Sequence, residues 1–188
     1  TSFLKSDHRA ECLPSFRYLI EKQMPPSQKY SIGFCGFPTR DIREETLNSF
    51  RKSFDCDFIV RDKWFGFYSN KEKELYRKEF LQNMENNPYQ LCIRGDGNFS
   101  HRLYEVLMCG RIPVFLDTDS PLPCTDEIDW NEYMVISDTI GGLKEKLIDW
   151  DESHNLAISQ EKCRKLWEKY FTPEAYGNYL YRYLPKLT

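Results

Sequence analysis

Apolar residues along the chain are gathered into short runs, and longer segments of mixed polarity separate these runs. The runs cover 30–36, 56–61, 89–93, 112–116 and 133–137. Strands of a parallel sheet are covered on both faces and therefore show such near-continuous apolar stretches. Apolar runs that alternate with helix-like segments predict an α/β fold with a parallel sheet flanked by helices.

The segments between the runs have apolar positions at the spacing of amphipathic helices. Helices are predicted over 12–23, 41–54, 70–87, 100–109, 142–150, 155–171 and from Pro173 to about residue 183. Gly110 is expected to end the 100–109 helix as a C-terminal cap. The predicted buried side of the 70–87 helix consists of Leu75, Phe80, Leu81 and Met84.

The order of these elements predicts three parts of one domain. A helical lead-in covers 1–29, the sheet domain covers 30–150, and a helical tail over 151–188 packs on the same domain. The chain has 188 residues, which suits one domain and is too short for two nucleotide-binding domains. It starts at Thr1 rather than at methionine, so we expect a processed form or a fragment.

Composition narrows the possible functions. The net charge of -3 argues against a nucleic-acid-binding surface, and no stretch of eighteen apolar residues predicts a membrane span. Seven cysteines and three histidines show no metal-ligand spacing, so no zinc site is expected. Cys35 and Cys92 lie inside apolar runs, which predicts buried reduced thiols and favours a reducing compartment.

The candidate chemistry is concentrated where the third run passes into the next helix. Arg94 follows the run, Gly95 allows a close backbone approach, and Ser100 and Arg102 begin the predicted helix. Two guanidinium groups can bind a diphosphate through bidentate hydrogen bonds. Glu105, one turn further on, can accept hydrogen bonds from a ribose. This pattern predicts a nucleotide site, although a surface ion pair between Arg102 and Glu105 remains an alternative.

Two other loops carry further candidates. Arg40 and Arg43 follow the first run and are possible phosphate contacts, with a solvated helix position as the alternative for Arg43. An acceptor hydroxyl needs a general base, and the carboxylates expected at the correct edge of the sheet are Asp96, Asp117 and Asp119. None of the three is preferred. Asp117-Thr118-Asp119 also spells a metal-binding motif, but few other ligands are nearby, so a bound metal is not expected.

Aromatic residues form a group after the second run. Trp64, Phe65, Phe67 and Tyr68 either stack on a sugar or nucleobase or cover the core, and the core-covering interpretation is preferred. The other tryptophans are expected to be packing residues, namely Trp130, Trp150 and Trp167.

The segment 91–130 resembles the signature of exostosin-like glycosyltransferases. It contains an Arg-Gly pair, then Ser-x-Arg followed by a glutamate, then Gly-x-Ile-Pro-Val, and finally Leu-Pro with an acidic-Ile-x-Trp element. These elements are CIRGDGNFSHRLYEVLMCGRIPVFLDT and LPCTDEIDW. The earlier GFCGFPTRDIRE also resembles the family, and the resemblance covers roughly residues 30–137.

The resemblance implies one half of a twin-Rossmann enzyme of the GT-B type. The C-terminal half of such an enzyme binds a nucleotide diphosphate sugar, usually a UDP-sugar, and transfer to a glycan acceptor inverts the anomeric centre without a bound metal or other cofactor. Arg94 and Arg102 would hold the diphosphate, Ser100 a phosphate, and Glu105 the ribose. An N-terminal Rossmann-like half would lie outside this chain.

Two other functions stay open. A fucosyltransferase-like enzyme would use GDP-fucose, and a non-catalytic module would bind a nucleotide or carbohydrate without chemistry. Asn98-Phe99-Ser100 is a glycosylation sequon inside the proposed phosphate loop, where a glycan would block the pocket. This favours a cytoplasmic or virus-encoded enzyme over one in the Golgi lumen.

Overall fold

A computed structural model of the chain describes residues 24–183. Its five strands form one parallel sheet in the order β2-β1-β3-β4-β5. The strands are β1 (Ile32–Gly36), β2 (Cys56–Val60), β3 (Tyr89–Cys92), β4 (Ile112–Leu116) and β5 (Val135–Ser137). The α/β class predicted from the apolar runs is confirmed, and each run contains one strand.

Within residues 24–183, six α-helices connect or follow the strands. They are α1 (Asp41–Arg51), α2 (Asn70–Asn86), α3 (Arg102–Met108), α4 (Ile140–Ser153), α5 (Leu156–Tyr170) and α6 (Pro173–Tyr183). Ser69 and Glu72 form a capping box that begins α2, and Thr139 and Asn155 cap α4 and α5. The predicted helix over 12–23 lies outside the described residues. None of the helices in residues 24–183 is long and apolar enough to cross a membrane.

The core lies between the sheet and its helices. Phe34, Leu91 and Val114, from the three central strands, have no exposed surface. Cys35 and Cys92 are buried and free, as predicted. The tail helices complete the same core, because α5 packs against α3 and β4, and α6 packs against α5.

One predicted core residue is wrong. Leu75 of α2 is 53% exposed, whereas Phe80 and Met84 of the same helix are buried. Met84 is nine positions after Leu75, and at roughly 3.6 residues per turn this spacing puts the two side chains on opposite faces of the helix. Tyr76, four residues before Phe80, is half-buried and packs against Tyr68.

The strand order creates a crevice at the carboxyl edge of the sheet. The chain leaves β1 toward β2 on one side and returns to β3 on the other, so the loops after β1 and β3 diverge. In open α/β sheets, ligands bind at such a topological switch point. The loops after β1 and β3 carry most of the predicted site residues.

Candidate functional site

Arg102 is the first residue of α3, and its side chain crosses the crevice. Its guanidinium carbon lies 4.8 Å from the ring centre of Phe34 and 5.5 Å from that of Phe80. Nη2 donates a hydrogen bond to the carbonyl oxygen of Cys35. Nη1 is buried and has no hydrogen-bond partner. The cation is therefore held in place by two rings and one carbonyl, with donor capacity left over.

Four buried polar side-chain atoms without a partner lie in the two crevice loops and at the start of α3. They are Thr39 Oγ1, Arg94 Nε, Ser100 Oγ and Arg102 Nη1. Three further atoms of this kind lie elsewhere in the described chain, at Asn83, Gln90 and Trp150. More than nine in ten buried polar groups in proteins are paired, because an unpaired one costs about 1–3 kcal/mol. The group of four at one edge indicates a place for a polar ligand.

Thr39 was not among the residues predicted from the sequence. Its hydroxyl lies in the loop after β1, 3.7 Å from the point where a Cβ on Gly95 would sit. The two crevice loops therefore come together around Gly95. A threonine in a loop has no distinctive pattern in one sequence, so only the structure identifies it.

Arg43 ties the two loops together. Its Nη1 donates to the carbonyl of Phe37 at 2.7 Å, and its Nη2 donates to the carbonyl of Ile93 at 2.9 Å. Burial, followed by the nearby Arg102 cation, lowers the pKa of Arg43 to about 10. The interpretation of Arg43 as a solvated helix residue is wrong. Its donors are directed to the backbone, so its clearest role is to position the two loops.

Arg40 lies on the rim of the crevice. It forms an ion pair with Asp96 at 3.2 Å, and both side chains are more than half exposed. Exposed pairs of this kind contribute little to stability, about 0–1 kcal/mol. Arg40 is therefore free to exchange Asp96 for a bound anion, and Asp96 has a cation beside it.

The alternative pairing of Arg102 with Glu105 does not form. Arg102 turns to the Cys35 carbonyl, and the Glu105 carboxylate has no hydrogen bond or ion pair to any residue in 24–183. Burial raises the pKa of the Cys92 thiol to about 12, and the Glu105 charge adds to this rise. Glu105 is partly exposed near the sheet, where it can accept hydrogen bonds from a ligand.

The helix start differs from the prediction. Helix α3 begins at Arg102 instead of residue 100 and has seven residues. The backbone N–H of Leu103 is already bonded to the Ser100 carbonyl at 3.2 Å. A helix of two turns adds little dipole, so the capacity of this crevice for an anion depends on its guanidinium groups and hydroxyls.

The loop after β4 is tied to the phosphate loop by Asn98. Asn98 Nδ2 donates to the Asp119 carbonyl at 3.0 Å, and Thr118 Oγ1 donates to Asn98 Oδ1 at 2.8 Å. Asp117 Oδ1 accepts hydrogen bonds from the backbone N–H groups of Asp119 and Ser120. Asp117 thus closes a tight turn in which Asp119 has a φ of 64°. Among residues 24–183, no three histidine, cysteine or acidic side chains are grouped as a metal site would require.

The aromatic group after β2 divides into exposed and buried members. Trp64 and Phe67 are 56% and 76% exposed, whereas Tyr68 is 5% exposed. The preferred core-covering interpretation is therefore wrong for Trp64 and Phe67 and correct for Tyr68. The remaining tryptophans are buried, as predicted, and these are Trp130, Trp150 and Trp167.

Comparison with known proteins identifies the family. A family model described as the Exostosin GT47 domain matches residues 7–139, which include both crevice loops and α3. The chain belongs to the exostosin family of glycosyltransferases. Exostosin-1b of Danio rerio is 27% identical over 174 residues, covering 82% of this chain. Exostosin-1c of Danio rerio is 25% identical over the same length and share. The matched region spans only 23% of the length of either relative.

Proposed function

We propose that this exostosin-family chain is the donor-binding half of an inverting glycosyltransferase that uses a UDP-sugar. The observation that carries the proposal is the group of unpartnered buried atoms from Thr39, Arg94, Ser100 and Arg102 at the switch point of the sheet. A bound diphosphate would accept hydrogen bonds from all four groups. Glu105, one turn along α3, would accept hydrogen bonds from the ribose.

The chemistry follows from where charge develops during transfer. The bond between the sugar and the diphosphate breaks, and negative charge grows on the departing nucleotide. Guanidinium groups that are already in place stabilise this charge without reorganising. Arg94 and Arg102 would perform this role, and Arg43 would keep the two loops at the correct separation.

We infer that transfer needs no divalent metal. The donors at the crevice are guanidinium and hydroxyl groups, which bind phosphate directly. Asp117 of the possible metal motif is engaged in a turn through its Oδ1 atom. We propose that the catalytic base for the acceptor comes from outside this chain, as expected for one half of a two-domain enzyme. Asp117 is the least suited of the three candidate carboxylates, because its Oδ1 atom closes the turn. Asp96, in its exposed pair with Arg40, and Asp119 stay the candidates within the chain.

The proposed compartment is the cytoplasm. The side chain of Asn98, the sequon asparagine, holds two hydrogen bonds to the loop after β4. Ser100, the third sequon residue, is 7% exposed. A glycan on Asn98 would be attached to Nδ2, the atom that donates to the Asp119 carbonyl, and would crowd the contact between the two loops.

Calorimetric titration of the chain tests this function. We expect UDP to bind at least tenfold more tightly than UMP or GDP, with the same affinity in EDTA and in millimolar MnCl₂. UMP tests the contribution of the second phosphate, and GDP tests the fucosyltransferase-like alternative. Absence of UDP binding, or binding that requires manganese, would contradict the proposal.

A further inference from the structure

Two exposed rings form a small surface beside the crevice, and we call Trp64 and Phe67 together the aromatic platform. They lie on a short 3-10 turn, Phe65–Phe67, between β2 and α2. Their ring centres are 5.9 Å apart, with the rings edge to face at 75°. The exposed fractions of 56% and 76% are among the largest of any apolar side chain in residues 24–183. Exposure of large aromatic rings has a hydrophobic cost, so such a pair calls for an explanation.

The turn beneath the platform is braced. The Tyr68 hydroxyl donates a hydrogen bond to the Asp62 carboxylate, and the buried Tyr68 ring packs edge-on against Tyr76 at 4.6 Å. The six-membered ring of Trp64 lies so close to Gly66 that a Cβ there would sit 1.8 Å from Trp64 Cζ3. Because the backbone and the ring are held in this way, binding at the platform would order few additional groups.

The platform is connected to the floor of the crevice. The loop that carries it begins at Arg61, whose backbone N–H donates to the Gly36 carbonyl at 2.9 Å and whose Nη2 lies 3.7 Å from Cys35 Sγ. Arg102 binds the carbonyl of the same Cys35. Trp64 is three residues after Arg61, a distance of at most about 11 Å along an extended chain.

We propose that the aromatic platform binds a sugar ring of the glycan acceptor; this inference rests on the function proposed above. A pyranose has an apolar C–H face that packs on an aromatic ring, and hydroxyl groups at its edge. Asp62 and Lys63 flank the platform and can bond those hydroxyls. The position of the loop at the carboxyl edge puts the acceptor on the same side of the sheet as the donor.

The size of the platform favours a sugar over a protein partner. A stable protein interface buries about 800 Å² on each partner and has an apolar core of many residues. Here two rings lie together, and exposed polar residues precede and follow them in the sequence, among them Asp62, Ser69 and Asn70. This area matches one or two sugar rings.

The test uses the intrinsic fluorescence of Trp64, because the other three tryptophans are no more than 8% exposed. Iodide should quench mainly Trp64. We first screen the chain on an immobilised panel of neutral and uronic-acid oligosaccharides, and then titrate a retained tetrasaccharide in iodide, with and without UDP. The tetrasaccharide should protect Trp64 from iodide, and Trp64→Ala should weaken its binding at least tenfold.

Controls separate this inference from the proposed function. Trp64→Phe should keep most of the binding, and Tyr181→Ala, which removes a ring on α6 that is 76% exposed, should change nothing. UDP affinity should stay within twofold in all three variants. The inference is overturned if no saccharide protects Trp64, if UDP alone protects it, or if protection instead rises with chain concentration. Failure of UDP to bind the wild type contradicts only the proposed function, since saccharide protection is also measured without UDP.

Discussion

One arginine begins α3 and another follows its C-terminal end, and their surroundings differ. Arg111, after the C-terminal end, has no exposed surface, and its guanidinium donates to the carbonyls of Met84, Glu85, Gly110 and Pro25 and to the side chain of Gln160. Arg102, at the N-terminal end, donates to one carbonyl and keeps a buried Nη1 without a partner. Both carry the same charge next to the same short helix. What distinguishes them is how much of their hydrogen-bonding capacity the protein itself uses.

The same contrast holds for the two edges of the sheet. Near Arg111, Arg164 donates to the Met108 carbonyl and pairs with Glu168 at 2.7 Å. At the carboxyl edge, three buried atoms besides Arg102 Nη1 have no hydrogen-bond partner, namely Thr39 Oγ1, Arg94 Nε and Ser100 Oγ. A polar group that the fold fully satisfies stabilises the fold, whereas one that is held in place but unsatisfied is available to a ligand.

The largest expected effect is on folding, from removal of Arg111. Arg111→Met keeps most of the side-chain volume but leaves several buried carbonyls without donors. We expect the free energy of unfolding to fall by roughly 3–5 kcal/mol, because several buried carbonyls each lose a hydrogen bond to a charged donor. Urea unfolding followed by circular dichroism measures this. A variant as stable as the wild type would show that the Arg111 contacts contribute nothing net.

Removal of Arg102 should reduce UDP affinity strongly and stability only slightly. Arg102→Ala loses charge-assisted hydrogen bonds to the diphosphate, each worth about 1.5–3 kcal/mol, so UDP affinity should fall roughly 100-fold. Stability should fall by less than the roughly 3–5 kcal/mol expected for Arg111→Met, because the lost contacts with one carbonyl and two rings are offset by relief of the repulsion between Arg102 and Arg43. Calorimetry and urea unfolding on the same preparation give both values. UDP binding that survives the substitution would contradict the site assignment.

The sequence predicts the buried strands of the fold better than it predicts the ends of the helices. The apolar runs located all five strands, since parallel strands are buried on both faces and leave a strong signal. Helix ends were less certain. The apolar spacing of Leu103, Val106 and Leu107 predicts a helix from residue 100, whereas α3 begins at Arg102.

The candidate site was predicted in outline only. The order of Arg94, Ser100 and Arg102 around a glycine-containing loop can be recognised in a single sequence, and it indicates these three residues. The backbone role of Arg43, the orphan hydroxyl of Thr39 and the exposure of Trp64 depend on where distant loops meet. A local sequence pattern does not show which of the loops that are distant in sequence come into contact.

A smaller effect is expected at the C-terminal end of α3. Gly110 has a φ of 63°, and its N–H donates to Leu107 while the Arg111 N–H donates to Val106. A side chain in this left-handed conformation costs about 1–2 kcal/mol. A Cβ at Gly110 would also lie 3.2 Å from Arg164 Cβ.

Gly110→Ala should therefore lower stability by roughly 1–2 kcal/mol without changing UDP affinity, because it affects only the satisfied end of the helix. Thermal unfolding and calorimetry measure the two quantities. A loss of UDP affinity greater than that of Arg102→Ala would mean that the two ends of α3 do not have separate roles.

The smallest effect, and the most direct test of the contrast, compares two threonine hydroxyls seven residues apart. Thr39 Oγ1 is buried without a partner, whereas Thr46 Oγ1 donates to the Ile42 carbonyl within α1. Valine replaces threonine with nearly the same shape, so each substitution removes only a hydroxyl. Thr39→Val should weaken UDP binding five- to tenfold, for a lost hydrogen bond of about 1 kcal/mol, and leave stability equal or slightly higher. Thr46→Val should leave UDP binding unchanged. Because UMP lacks the second phosphate, its affinity in Thr39→Val reports whether the hydroxyl contacts the first or the second phosphate. Equal UDP affinity in both variants would show that an unpartnered buried hydroxyl at this edge does not mark a ligand contact.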